Sequence, residues 1–126
     1  RIGAFGSGDV SNIAWLVTPE IDLDGTTNAT FSFDTSTSFS DNSELQILMS
    51  ANWDGTEEGI ISANWETVPR ATVVSNEQNF ADWVNSEIVD LSCVTGKVHI
   101  AFKYIGTGDG DSDGTYEIDN ISVKAD

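Results

Sequence analysis

In "GKVHIAFKYIG" (96–106), Val98, Ile100, Phe102 and Tyr104 occupy every second position, opposed by Lys97, His99, Ala101 and Lys103. Successive residues of a strand point to opposite faces, so this run predicts a strand with one face in a core and the other wet or against a neighbour. Phe31 and Phe33 repeat the pattern in "ATFSFDTST" (29–37), with Ser32 and Asp34 turned the other way. Further strands are predicted over 14–19, 44–51, 64–70, 85–92 and 115–125. Between them fall turn formers such as "DLDGTTN", "SDNS", "NWDGTEEG" and "GTGDGDSDG". No window of ten or more residues carries apolar positions at helical spacing with good helix formers. The pattern predicts an all-β fold, a jelly-roll β-sandwich of two antiparallel sheets.

Length and charge narrow the possibilities. A chain of 126 residues suits a single β-sandwich module spanning 1–126 with one core. Five Lys and Arg stand against 21 Asp and Glu, for a formal net charge of −16. No basic face can be assembled from so few cations, which excludes nucleic acid and anionic membrane surfaces as partners. Sulfated and uronic-acid glycans are disfavoured for the same reason unless a cation bridges the two anions, so a neutral partner is the easier match. No stretch reaches 18 consecutive apolar residues, and the start, "RIGAFGS", has neither an apolar signal region nor a Met. The expectation is a module excised from a larger, multidomain protein and monomeric on its own. The lone Cys93 forms no internal disulfide and reads as a small buried apolar residue, giving no sign of the compartment.

Catalytic groupings are missing from the sequence. His99 is the one histidine and falls on the polar face of its strand. No G-x-S-x-G occurs, and "GSGDVSN" (6–12) lacks the lysine and following helix of a phosphate loop. With 21 acids a carboxylate pair can be drawn almost anywhere and carries no information. The protein is expected not to be an enzyme.

Two groups of residues carry candidate chemistry. In "GDGDSDGTYEIDN" (108–120), Asp109, Asp111 and Asp113 alternate ahead of Gly114, like the first half of a D-x-D-x-D-G calcium loop. The closing bidentate glutamate is absent, and a solvated connector accounts for the same residues. The second group is aromatic. Four tryptophans are many for this length, and indole faces stack on the apolar C–H faces of pyranose rings. Trp15, between Ala14 and Leu16, is assigned to the core. Trp53 lies in a turn-forming loop, "SANWDGTEEG", where Asn52, Asp54, Glu57 and Glu58 surround it with groups able to hydrogen-bond sugar hydroxyls. Trp65 and Trp83 stand near strand starts as further aromatic candidates, and "SDNSE" (40–44) could contribute from a neighbouring loop.

Three stretches, "AWLVTPEIDLDGTTNATFSFDTS" (14–36), "WVNSEIVDLSCVTGKVHIAFKY" (83–104) and "YEIDNISV" (116–123), resemble in order and spacing the cleaved-adhesin or choice-of-anchor J modules of secreted Bacteroidetes proteins. MAM domains and many carbohydrate-binding modules are related jelly rolls. The resemblance covers residues 12–125 and implies a non-catalytic β-sandwich, often stabilised by calcium, that serves adhesion or polysaccharide binding beside another domain. Members begin with an extra N-terminal segment, so residues 1–10 here supply at most a shortened first strand. Asp34 and Asp119 sit where the resembled modules are acidic. Carboxylates projecting from otherwise apolar strands need a cation or hydrogen-bond donors to offset desolvation. The resemblance therefore implies a structural Ca²⁺ with Asp34 and Asp119 as leading ligands and Asp41, Asn42 and Asp9 as completions from loops. The functional expectation is a carbohydrate-binding accessory module of a secreted polysaccharide-degrading or cell-surface protein. An adhesin that recognises a protein or matrix partner, and a spacer without a ligand, are the alternatives.

Overall fold

A computed structural model describes residues 1–39, 41–75 and 82–125. Its strands are β1 (Ile2–Gly3), β2 (Asn12–Val17), β3 (Ile21–Asp22), β4 (Thr30–Ser38), β5 (Glu44–Ser50), β6 (Glu66–Thr67), β7 (Val84–Asn85), β8 (Val89–Asp90), β9 (Lys97–Gly106) and β10 (Thr115–Lys124). A single helical turn, α1 (Gly59–Ser62), lies between β5 and β6. The first sheet runs β1-β10-β4-β7, with β8 also on β4; the second runs β2-β9-β5-β6, with β3 also on β9. Every pairing is antiparallel. The molecule is a β-sandwich.

The alternation predicts which residues meet between the sheets. Phe31 and Phe33 of β4 meet Phe102 of β9, with ring centroids 5.3 Å apart within β4 and 6.4 and 5.1 Å across the sandwich. Val98, Ile100 and Tyr104 lie on the same side of β9, all essentially inaccessible to water. Burying each such side chain contributes about 1.5–3 kcal/mol, which makes this aromatic seam the principal stabilising feature.

β10 reaches the core in two registers. Asp119 stands opposite Asp34 but Ser122 opposite Ser32, so β10 carries one extra residue there. Asn120 absorbs the bulge with a left-handed backbone, φ 51°. The extra residue lets Tyr116 and Ile118 on one side of it and Val123 on the other all pack on the core.

Short-range departures have local causes. The predicted strand 85–92 splits into β7 and β8 because Glu87 is left-handed (φ 62°) and Ser86 engages β4 through its side chain, accepting from Phe33 N at 2.9 Å. Only 66–67 of the predicted 64–70 strand pairs, and β1 supplies a two-residue first strand against β10. β3 and α1 lie in segments where the pattern predicts no element. Cys93 is exposed, in a turn after β8, which corrects its assignment to the interior.

Candidate functional site

The outward face of the second sheet is unusually apolar. Residues directly opposite in an antiparallel ladder share a face, and β2, β9 and β5 bring Trp15, Lys103 and Gln46 into one row and Val17, Ala101 and Leu48 into the next. Trp15 pairs with Lys103, so its indole points away from the core and is half-buried; the assignment of Trp15 to the core is corrected by register.

The segment between β5 and β6 folds back as a wall over this face. Ser50 Oγ donates to Asn52 Oδ1 at 2.9 Å, and the same oxygen accepts from Asn64 N at 2.8 Å, tying the two ends of the segment together. Asp54 Oδ1 accepts from Thr56 N and Thr56 Oγ1 at 2.9 and 2.7 Å, and Thr56 Oγ1 accepts from Gly59 N, which starts α1. A Cβ on Gly59 would meet the Asp54 carboxylate, so any larger residue there would have to displace that carboxylate. The hydrogen bonds from Thr56 hold the Asp54 carboxyl below the usual aspartate range.

Trp53 and Trp65 are fixed by their ring nitrogens. Trp53 Nε1 donates to Thr56 O at 2.9 Å and Trp65 Nε1 to Ile60 O at 2.8 Å. Trp65 lies 5.1 Å from Trp15 and 6.1 Å from Trp53 by ring centroids. Behind Trp53, His99 packs edge-on at 4.7 Å, its Nδ1 2.9 Å from Thr18 O. The result is an open groove of about 1200 Å³. Its floor is Ile13, Trp15, Val17, Gln46, Leu48 and Lys103, and its wall includes Trp53, Trp65, Glu57 and Ile61. That volume exceeds the ~300–1,000 Å³ usual for small-molecule sites and suits an extended ligand.

The sequence-derived sugar contacts divide accordingly. Trp53 and Trp65 line the groove; Asn52 and Asp54 serve as staples of its wall; Trp83, half exposed, precedes β7 on the other sheet and takes no part. Sequence reasoning misses Trp15, Lys103 and Gln46 as groove residues. The run of five apolar residues in "NIAWLV" signals that both faces of β2 are apolar, which an edge strand with one wet face does not need.

The candidate metal ligands fall into two places. Asp34 and Asp119 are cross-strand neighbours on the outer, wet face of the first sheet, not among apolar side chains. Asp34 Oδ1 accepts from Asn85 Nδ2 and Oδ2 from Asn120 Nδ2, both at 2.7 Å, and Asp119 Oδ1 accepts from Asn120 N at 2.7 Å. These donors, Asn120 foremost, hold the Asp34 carboxyl below the usual range. The other candidates gather at the rim where β4 and β9 end. Asp41 accepts from Ser43 N and Gly114 N, Asn42 N donates to Asp111 O, Ser112 N to Asp109 O, and Gly108 N to Asp9 O. Ser38, where β4 ends toward the rim, is already ~13 Å along the strand from Asp34. Among the described residues no three Asp, Glu, His or Cys side chains converge as a metal cage.

At the rim, Asp113 is only 9% exposed. Burial raises the pKa of the Tyr104 phenol, and the charges of Asp41 and Asp113 raise it further. Tyr104 in turn donates to Gly114 O at 2.8 Å.

Compared with models of protein families and with curated proteins, the chain matches none.

Proposed function

We propose that this domain is a non-catalytic carbohydrate-binding module that holds a neutral polysaccharide in the groove of the second sheet. One observation carries the reading: Trp15, Trp53 and Trp65 pack in a row along an open groove, with the ring nitrogens of Trp53 and Trp65 already bonded to backbone. Pyranose rings present apolar C–H faces that stack on such a surface, while Gln46, Glu57 and Lys103 supply polar groups for hydroxyls. The module works outside the cell or at its surface beside other domains of its parent chain. Affinity gel electrophoresis against neutral and anionic polysaccharides tests this. Retardation by a neutral glycan that Trp65→Ala abolishes and Trp83→Ala leaves intact is the expected result. No retardation of the folded protein by any glycan overturns it.

An adhesin that grips a protein is the second reading, favoured by Ile61, which is 89% exposed on the groove wall. Competition separates the two, because a soluble oligosaccharide displaces a glycan ligand.

The resemblance implies calcium with Asp34 and Asp119 as leading ligands; both Asp34 oxygens and Asp119 Oδ1 accept from amide donors there, as both Asp41 oxygens accept from Ser43 N and Gly114 N at the rim. We propose the rim, with Asp41 and Asp113 and carbonyl oxygens of the loops they belong to, because Asp113 is a buried carboxylate. Calcium takes six to eight oxygens, and a cation there offsets the cost of burying the Asp113 carboxylate. Its role is to hold the 107–114 and 39–43 loops together.

A further inference from the structure

One of the five basic residues lies on the groove floor. Lys103 sits on β9 between Trp15 of β2 and Gln46 of β5, so register alone places its side chain on the outward face with the tryptophans. Its Nζ lies 4.9 Å from the centroid of a Trp15 ring. Lys97 on the same strand reaches Glu20 at 3.8 Å, yet among the described residues Lys103 has no carboxylate within ion-pair distance.

This is not for want of acids in a chain of net charge −16. Glu57 lines the same groove, and Glu44 is next but one to Gln46, where its Oε1 accepts from Gln46 Nε2 at 2.7 Å. A half-buried ammonium has three N–H donors, and an indole face satisfies its charge without accepting all three. Lys103 therefore presents its donors on the groove floor without an ion pair to hold them.

The charge of the lining decides which acceptors suit it. Lys103 and Glu57 are the charged residues that line the groove, and they cancel. A polyanion therefore gains one favourable contact and meets the repulsion of the remaining molecule at each further charge. Hydroxyl oxygens offer acceptors to the ammonium without importing charge. A ring stacked on the neighbouring tryptophans brings its edge hydroxyls toward the Nζ that lies over the Trp15 indole.

We propose that Lys103 is the specificity-determining donor of the groove: its ammonium, braced against Trp15, donates to the hydroxyl oxygens of a neutral sugar ring stacked on the tryptophans. This rests on the carbohydrate reading above and adds that recognition depends on donors at one position and favours an uncharged ligand.

The test uses the glycan that retards the wild-type protein and compares K103M and K103R by titration calorimetry at low and high salt. K103M keeps an apolar stem on Trp15 and removes the donors; K103R keeps charge and donors. The expected result is a roughly 10- to 100-fold loss of affinity for K103M, as for lost hydrogen bonds to a charged group, with most of the affinity kept in K103R. Wild-type affinity changes less than about twofold between ~50 and ~500 mM salt, because screening acts on charged ligands. Unchanged affinity in K103M, with Trp15→Ala still abolishing binding, overturns the role of Lys103 and leaves the groove reading standing. Affinity that falls steeply with salt, or tighter binding of a polyuronate, overturns the neutral-ligand assignment. Thermal melts of both variants show whether a loss reflects binding or folding. Failure of the folded wild type to bind any glycan removes the groove reading and this proposal together.

Discussion

Asp54 shows how a polar residue beside an aromatic one can carry a structural role. In "NWDGTEEG" it sits next to Trp53 and looks like a hydroxyl-binding group, and its Oδ1 accepts from Thr56 N and Oγ1, closing the turn whose Thr56 carbonyl receives the Trp53 ring nitrogen. Asp54→Ala is therefore expected to weaken glycan binding several-fold by loosening Trp53, with little change in Tm because the wall lies outside the core; calorimetry and a thermal melt check both. Asn52 is the same case, since Asx and ST turns use the side chains that sugar sites use. The turn-rich loop of Trp53 was legible in the sequence, but its half-buried packing against Trp65 and His99 was not. Nor was the setting of Trp15, because "NIAWLV" has no alternation and only its pairing with Lys103 assigns a face.

At the scale of elements, the long strands were readable and the short ones were not. β4, β9 and β10 announce themselves by period-two patterns of aromatic and branched residues, whereas β1, β3, β6, β7 and β8 are two residues each, too short for a periodic signal. The β4–β10 ladder also has an acid dependence. The Asp34 carboxyl is depressed in the folded protein by Asn120 and Asn85, so its stabilising contribution is present above the ~3.9 of an unfolded aspartate and fades as pH falls through the lower folded value. Melting curves should lose Tm on acidification below about pH 4, and Asp34→Asn should flatten part of that loss. Asn120→Ala should cost about 1 kcal/mol from its left-handed backbone alone, beyond the lost bond to Asp34. Equal acid profiles for wild type and Asp34→Asn would contradict this account of the ladder.

At the scale of the whole molecule, the sandwich separates three jobs: an aromatic core between the sheets, a polar outer face on the first sheet, and a tryptophan groove on the outer face of the second. Charge links them, since −16 spread over a small domain favours cations at its crowded corners. Chelation with EDTA should lower Tm in the wild type, and Asp113→Asn should remove that response while Asp34→Asn retains it. An EDTA response lost in Asp34→Asn and kept in Asp113→Asn would move the ion to the sheet. The central claim is that the groove holds the ligand. The most direct measurement is a nitrogen–proton NMR titration of the four indole Nε1 signals with an oligosaccharide of the glycan that retards the protein. Shifts at Trp15, Trp53 and Trp65 with Trp83 unmoved are predicted; movement at Trp83 with the other three unchanged contradicts the account.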